Sequence, residues 1–255
     1  MPKIKCHNLT KVFRLRDQSY EAIRGLSFEV DSGELVAVVG KTGCGKSSTL
    51  NILLGLEWPT EGTLTIDGRE PYRDFDFFRG NLSAVFQTDR LLPWRTVLQN
   101  ATYGLEILHF GGPERAQRAR HWLEKLGLTQ FENAYPHQLS GGMRQRVGIA
   151  RAFSINPDLL LCDEAFGHLD EVTARQLRVD FLKLVRETGK TSIFITHDID
   201  EALELGARVL VLGKPARLLK DVAVHRDIRE NAAKRTEVKN KIIQAIENDN
   251  AVSLS

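Results

Sequence analysis

The chain has 255 residues, 42% of them hydrophobic and 27% charged, enough for one sizeable core or a core with an added lobe. Its formal net charge is +2 with both signs interspersed, so the composition gives no basic face for nucleic acid. No apolar run approaches the ~20 residues that span a bilayer, and any membrane role is expected to come through a partner. The stretch MPKIKCHNLTKVF lacks the apolar core of a signal peptide, and Cys6, Cys44 and Cys162 form no CxxC pair. A reducing, cytosolic compartment without a disulfide framework or zinc site is therefore expected.

Ile4-Lys5-Cys6-His7-Asn8-Leu9 and Leu26-Ser27-Phe28-Glu29-Val30 alternate in strand fashion, and Asp31-Ser32-Gly33 marks a turn. Leu35-Val36-Ala37-Val38-Val39 is an unbroken β-branched run, the pattern of a strand buried on both faces. It leads into Gly40-Lys41-Thr42-Gly43-Cys44-Gly45-Lys46-Ser47 and then a helix from Ser48 to Leu56. Gly62-Thr63-Leu64-Thr65-Ile66-Asp67-Gly68 reads as a hairpin arm, and Ser83-Ala84-Val85-Phe86 as a short strand ending at Gln87. From there to about residue 155 the pattern is helical. Gly111-Gly112-Pro113 opens one helix that stops near Gly127, and a second runs from Leu139 to Ile155 before Asn156-Pro157.

Strands then return at Leu159-Leu160-Leu161-Cys162, Ser192-Ile193-Phe194-Ile195 and, as a last strand, Val209-Leu210-Val211-Leu212. Between them lie a helix with Leu177, Phe181 and Leu184 on one face and a short helix from Glu201 to Leu205. Alternating strands and helices imply an α/β sheet covered on both faces, with an inserted helical lobe between Gln87 and Pro157. Beyond Gly213 the chain is charge-rich. Val238, Ile242, Ala245 and Ile246 there share one face of an amphipathic helix, expected to dock on the surface.

Three segments carry chemistry. Gly40-x-x-x-x-Gly45-Lys46-Ser47 follows a buried strand and opens a helix, the context a phosphate-binding loop requires. Its glycines allow backbone N–H groups to curl around phosphates, and the helix start adds a favourable dipole. Lys46 is expected to neutralise the β and γ phosphates, and Ser47 to offer its hydroxyl to Mg²⁺. Asp163 ends an apolar strand at the sheet's carboxyl edge, where α/β sheets bind ligands, and is expected to orient Mg²⁺. Glu164, one residue on, is the candidate to polarise an attacking water. Leu139-Ser140-Gly141-Gly142-Met143 begins a helix and offers a second anion cradle without a lysine, so head-to-tail pairing of two copies is expected to complete each site.

These motifs, with Gln87 and His197 in the same order, resemble the nucleotide-binding subunit of ATP-binding cassette (ABC) transporters over residues 3 to about 215. The resemblance implies an α/β P-loop NTPase fold of the ABC-ATPase type, with a mainly parallel core sheet, an antiparallel β subdomain and an inserted helical subdomain at about 89–155. It places the ATPase domain at 1–215 and a charged C-terminal extension at 216–255. ATP and Mg²⁺ are the implied cofactors; the partners are a second cassette, a transmembrane permease dimer and, through it, a solute-binding protein. The implied location is the cytoplasmic face of the membrane.

By the same resemblance, Gln87 contacts Mg²⁺ and the attacking water, while Ser140, Gly141 and Gly142 reach the γ-phosphate across the dimer, with Leu139 counted in the same nucleotide-binding motif. Asp170 in Phe166-Gly167-His168-Leu169-Asp170 links the two sites, and His197 holds the γ-phosphate. Lys41, Thr42, Gly43, Cys44 and Ser48 complete the phosphate loop. The aromatic platform for adenine falls at Phe13, with Tyr20 as the alternative because the stretch from Arg14 to Tyr20 is long. Phe86-Gln87-Thr88-Asp89-Arg90-Leu91-Leu92-Pro93-Trp94-Arg95-Thr96-Val97 is similar to the importer branch for nitrate, sulfonate, taurine and bicarbonate. The chain departs from that branch at Lys41, Thr42, Ser48, Ala165 and His168, and in lacking an aspartate just before Arg208.

Overall fold

The computed structural model describes residues 3–15 and 18–253. In chain order these form β1 (Ile4–Leu15), β2 (Gln18–Val30), β3 (Leu35–Gly40), α1 (Lys46–Leu53), β4 (Glu61–Ile66), α2 (Phe75–Phe78) and β5 (Leu82–Val85). Next come α3 (Val97–Ala101), α4 (Tyr103–Ile107), α5 (Gly112–Lys125), α6 (Gly141–Ser154), β6 (Leu159–Asp163) and α7 (Glu171–Thr188). The remainder is β7 (Thr191–Thr196), α8 (Ile199–Leu205), β8 (Arg208–Leu212), β9 (Leu218–Ala223), α9 (Arg226–Glu230) and α10 (Ala232–Ser253). The chain folds as two compact units, one from the segments up to Phe77 and from Thr191 on, the other from Phe78–Lys190.

In the first unit, β3 lies between β7 and β8 and runs parallel to both, pairing Val39 with Thr196 and Gly40 with Leu212. Every residue of β3 and β7 is buried, which is why their sequences carry unbroken apolar runs rather than alternation. A strand not expected from sequence, β9, adds antiparallel to β8. Its half-exposed pattern, with Lys220 and Asp221 outward, hides it from a search for apolar runs. Arg208 Nε donates to Asp221 Oδ1 at 2.6 Å across that pair.

The antiparallel sheet of this unit has the order β2-β1-β4. β1 and β2 run further than their alternating segments suggest because register shifts after Cys6, Leu9 and Lys11 break the period without ending the pairing. The C-terminal helix α10 docks instead over β3, β8 and α8: Ile242 is fully buried with Ala37, Val39, Ala202, Val209, Val211 and Val224. Lys239 Nζ reaches Asp200 Oδ2 at 2.5 Å and Arg235 Nη2 reaches the Asp200 carbonyl at 2.9 Å.

In the second unit, β5 and β6 pair in parallel from Leu82–Leu159 to Val85–Cys162. Helices α3 to α6 follow β5. Buried Asn100 accepts from Leu92 N and donates to the carbonyls of Leu92, Arg95 and Thr96, which fixes the loop entering α3. Pro113 sits in the first turn of α5, and Gly127 adopts φ 70 just beyond its end, as the sequence suggested. Trp122, Phe153, Phe181 and Phe166 form a chain of ring contacts through the core of this unit. Among the described residues no helix is long and apolar enough to cross a membrane.

Removing buried methylenes from α10 should be costly if the helix is an integral part of the first unit. Ile242→Ala is expected to lower stability by about 2–4 kcal/mol, read as a fall in the denaturant midpoint. An unchanged midpoint would show that α10 is not seated on this core.

Candidate functional site

The phosphate loop bridges β3 and α1 in the first unit. Gly45 adopts φ 113 and caps α1, and a Cβ placed on it would lie 2.2 Å from the Ala22 carbonyl oxygen, so no other residue fits. The first turn of α1 has no acidic residue and no side-chain cap, leaving its dipole end suited to an anion. Lys46 is 5% exposed; its ammonium turns inward to donate to the carbonyls of Gly40 (2.6 Å) and Lys41 (3.0 Å). Lys41, Thr42, Gly43 and Ser47 lie on the exposed rim, while Ser48 is half-buried. Cys44 is buried under the loop, where burial pushes its thiol pKa up although the Lys46 ammonium pulls it down. It therefore stays protonated at neutral pH and serves as packing.

Parallel pairing sets His197 beside this loop. Val39 is level with Thr196, so Gly40 and His197 leave the sheet at the same carboxyl edge. Thr196 Oγ1 donates to buried Glu201 Oε2 at 2.5 Å and accepts from Asp198 N at 3.0 Å, which holds the backbone on both sides of the histidine. Phe13 faces Tyr20 across β1 and β2. One face of the Phe13 ring carries the Lys11 ammonium at 4.7 Å, whereas Tyr20, 45% exposed, donates its hydroxyl to the Gly43 carbonyl at 3.1 Å. Residues 16–17, inside the long stretch noted from sequence, lie outside the described residues.

In the second unit, the β5–β6 register brings Gln87 and Glu164 together, each two residues past the level Val85–Cys162 pair. Gln87 Nε2 donates to Glu164 Oε2 at 3.1 Å. Asp163 ends β6 half-buried, and Glu164 sits in the left-handed region at φ 45, followed by a turn in which Gly167 N donates to the Glu164 carbonyl at 3.1 Å. A carboxylate held by an amide at a sheet's carboxyl edge can accept a proton from water.

The Leu139–Met143 segment starts α6 as expected. Leu139 is buried, and Ser140 is the cap, its hydroxyl accepting from Met143 N at 3.3 Å. Gly142 is packed against α7: a Cβ there would meet Thr173 Cγ2 at 2.5 Å. Asp170 caps α7 by accepting from Thr173 N at 3.0 Å, and that bond holds its carboxyl below the usual range. Gly141, Gln87, Asp89, Arg144 and His168 line a cleft of about 190 Å³.

Sequence reasoning assigned no role to the residues that tie Gln87 to α6. Gln145 Nε2 donates to the Phe86 carbonyl at 3.0 Å, and Arg144 Nε to Asp89 Oδ2 at 3.0 Å. Arg151 reaches the carbonyls of Asp89 and Arg90, each at 2.8 Å, and burial lowers its pKa. A signal was present in the spacing: Gln145 stands one helical turn before Ile149, on the apolar face of α6, where the structure buries it.

The family model for ABC transporters matches residues 23–167. The chain belongs to the ABC transporter ATP-binding family. Over 226 residues the cassette is 42% identical to an uncharacterized ABC transporter ATP-binding protein of Methanocaldococcus jannaschii, covering 87% of this chain and 82% of that one. Over 225 residues it is 41% identical to the taurine import ATP-binding protein TauB of Pseudomonas aeruginosa, covering 88% and 84%. A solved dimeric ATP-binding cassette in a post-hydrolysis state with ADP and Pi matches with a TM-score of 0.78 at 33% identity, covering 87% of this chain and 99% of that one. The cassette is thus an ATPase with the α/β ABC-ATPase fold, and its resemblance to the importer branch holds.

The tight Gly142–Thr173 approach gives a stability test. Gly142→Ala is expected to cost about 1–3 kcal/mol, and adding Thr173→Ser, which removes the opposing methyl, to recover part of it. Thermal unfolding of the single and double variants decides; strictly additive losses would place the crowding elsewhere.

Proposed function

We propose that the cassette is the ATP-hydrolysing subunit of an ABC importer. Two copies bind two nucleotides at the cytoplasmic face of a membrane and energise uptake of a small solute through a separate permease. The solute is an anion or zwitterion of the nitrate, sulfonate, taurine or bicarbonate class, supported by the 41% identity to TauB and by the segment from Phe86 to Asn100. A solute-binding protein delivers it to the permease. The ATPase body is residues 1–215, with a helical subdomain at about 89–155 and an extension at 216–255.

The observation that carries the reading is the Gln87–Glu164 hydrogen bond. It joins the candidate general base to a segment that continues into Trp94, 71% exposed, so a partner seated on that segment can act on the base.

Residue roles follow from chemistry. The glycine-lined loop, the uncapped start of α1 and the Lys46 ammonium fit a nucleoside triphosphate. Lys46 exchanges its two loop carbonyls for β and γ phosphate oxygens, and Gly40, Lys41, Thr42, Gly43, Cys44, Gly45, Ser47 and Ser48 surround the phosphates. Ser47, Gln87 and Asp163 are oxygen donors suited to a hard cation and would hold Mg²⁺, which supplies charge neutralisation on the phosphate oxygens when bound. Glu164 takes the proton of the attacking water, Gln87 orients that water and His197 holds the γ-phosphate. Ser140, Gly141 and Gly142, preceded by Leu139, bind the phosphate of the nucleotide held by the other copy, and Asp170 lies at the junction of the two sites. The adenine stacks on the Phe13–Tyr20 pair; Tyr20 is the stronger platform because its hydroxyl is tethered to the loop.

Glu164→Gln is expected to keep ATP affinity and to cut turnover about 10²- to 10⁴-fold. Lys46→Ala should lose tight ATP binding, and Tyr20→Ala should raise KM more than Phe13→Ala. Normal turnover in the first variant or normal affinity in the second would remove the assigned role. ATPase rate should rise with the square of cassette concentration in the dilute range; first-order dependence at full activity would refute pairing.

A further inference from the structure

The turn between β8 and β9 carries a lysine that the sequence motifs leave unused. A Cβ placed on Gly43, at the exposed rim of the phosphate loop, would lie 4.0 Å from Lys214 Nζ. Among the described residues no carboxylate pairs with this ammonium. Its charge is felt within the loop, where it helps lower the pKa of Cys44 against the effect of burial.

The backbone around Lys214 is tightly held. Lys214 N donates to Asp249 Oδ2 at 2.8 Å, Arg217 pairs with Asp249 Oδ1, and Arg217 Nη1 returns to the Lys214 carbonyl at 3.1 Å. Asp249 is 8% exposed and belongs to α10. Gly213 meets it so closely that a Cβ would lie 2.6 Å from Asp249 Oδ2. On its other side the turn is fixed to β2: Ala216 N donates to the Ala22 carbonyl at 2.9 Å, and Arg24 N to the Ala216 carbonyl at 3.0 Å. That Ala22 carbonyl is the one against which Gly45 is packed.

We propose that Lys214 is a second phosphate-binding cation of the loop, and that α10 sets its position through Asp249. The inference rests on the nucleotide-binding function proposed above and adds a residue to it. Nucleoside di- and triphosphates present their charge at the loop rim, where a lysine without an acidic partner has the most to gain. The docking of α10 and nucleotide binding are then linked, each favouring the other.

The test is the Kd of the full-length chain for a fluorescent ATP analogue, measured at low and moderate ionic strength. Lys214→Gln is expected to weaken binding about fivefold and to flatten its salt dependence, whereas Lys214→Arg keeps both. Asp249→Asn should weaken binding in the same direction, and combining it with Lys214→Gln should add little. Lys241→Gln, on the exposed side of α10, removes the same charge and should change neither affinity nor slope. Wild-type Kd and salt slope in Lys214→Gln would overturn the lysine's role, and full additivity of the Asp249 and Lys214 variants would overturn the helix's part. If Lys46→Ala binds as tightly as the wild type, it is the function proposed above that fails.

Discussion

The phosphate loop is shaped by the backbone behind it. Ala22 of β2 presents its carbonyl oxygen where a side chain at position 45 would stand, so the chain must cross there as bare glycine in a left-handed conformation. That crossing turns β3 directly into α1, delivers an uncapped helix start to the loop, and folds Lys46 back over it. The same carbonyl accepts from Ala216, so one peptide group limits the loop from behind and anchors the turn that carries Lys214. Ala22 and Ile23 are themselves fully buried, so this backing is close-packed.

The second unit organises its chemistry through α6. A single helix supplies the Ser140 cap at its start and, further along, Arg144, Gln145 and Arg151, which bind the segment from Phe86 to Arg90. Gln87 lies within that segment and holds Glu164, so Glu164 and the Ser140 cap are connected by a short chain of hydrogen bonds. Of the four bonds from α6 to this segment, three end on backbone carbonyls, which fixes its path more firmly than side-chain pairing alone.

Much of this was legible in the sequence because the informative features are local. The apolar run of β3 and the glycines after it, the serine before α6 and the Pro113–Gly127 limits of α5 each depend on near neighbours, and the structure has them as read. Strand pairings that leave no apolar period were harder to see. The full length of β1 and β2 depends on register shifts that leave no period, and β9 is a half-exposed strand that folds back on β8, with Leu210 opposite Asp221 among its pairs. Asp249 gave no signal at all, because an acidic residue near the end of a charged helix looks like surface until its partners at Lys214 and Arg217 are known.

The left-handed backbone at Glu164 stores strain at the carboxyl edge of β6. A residue with a Cβ at φ 45 is disfavoured by about 1–2 kcal/mol, so glycine or asparagine there relaxes the main chain. Either substitution would favour the folded state locally while removing the carboxylate. Glutamate at this position therefore carries a local conformational cost, which its proposed role as base would offset.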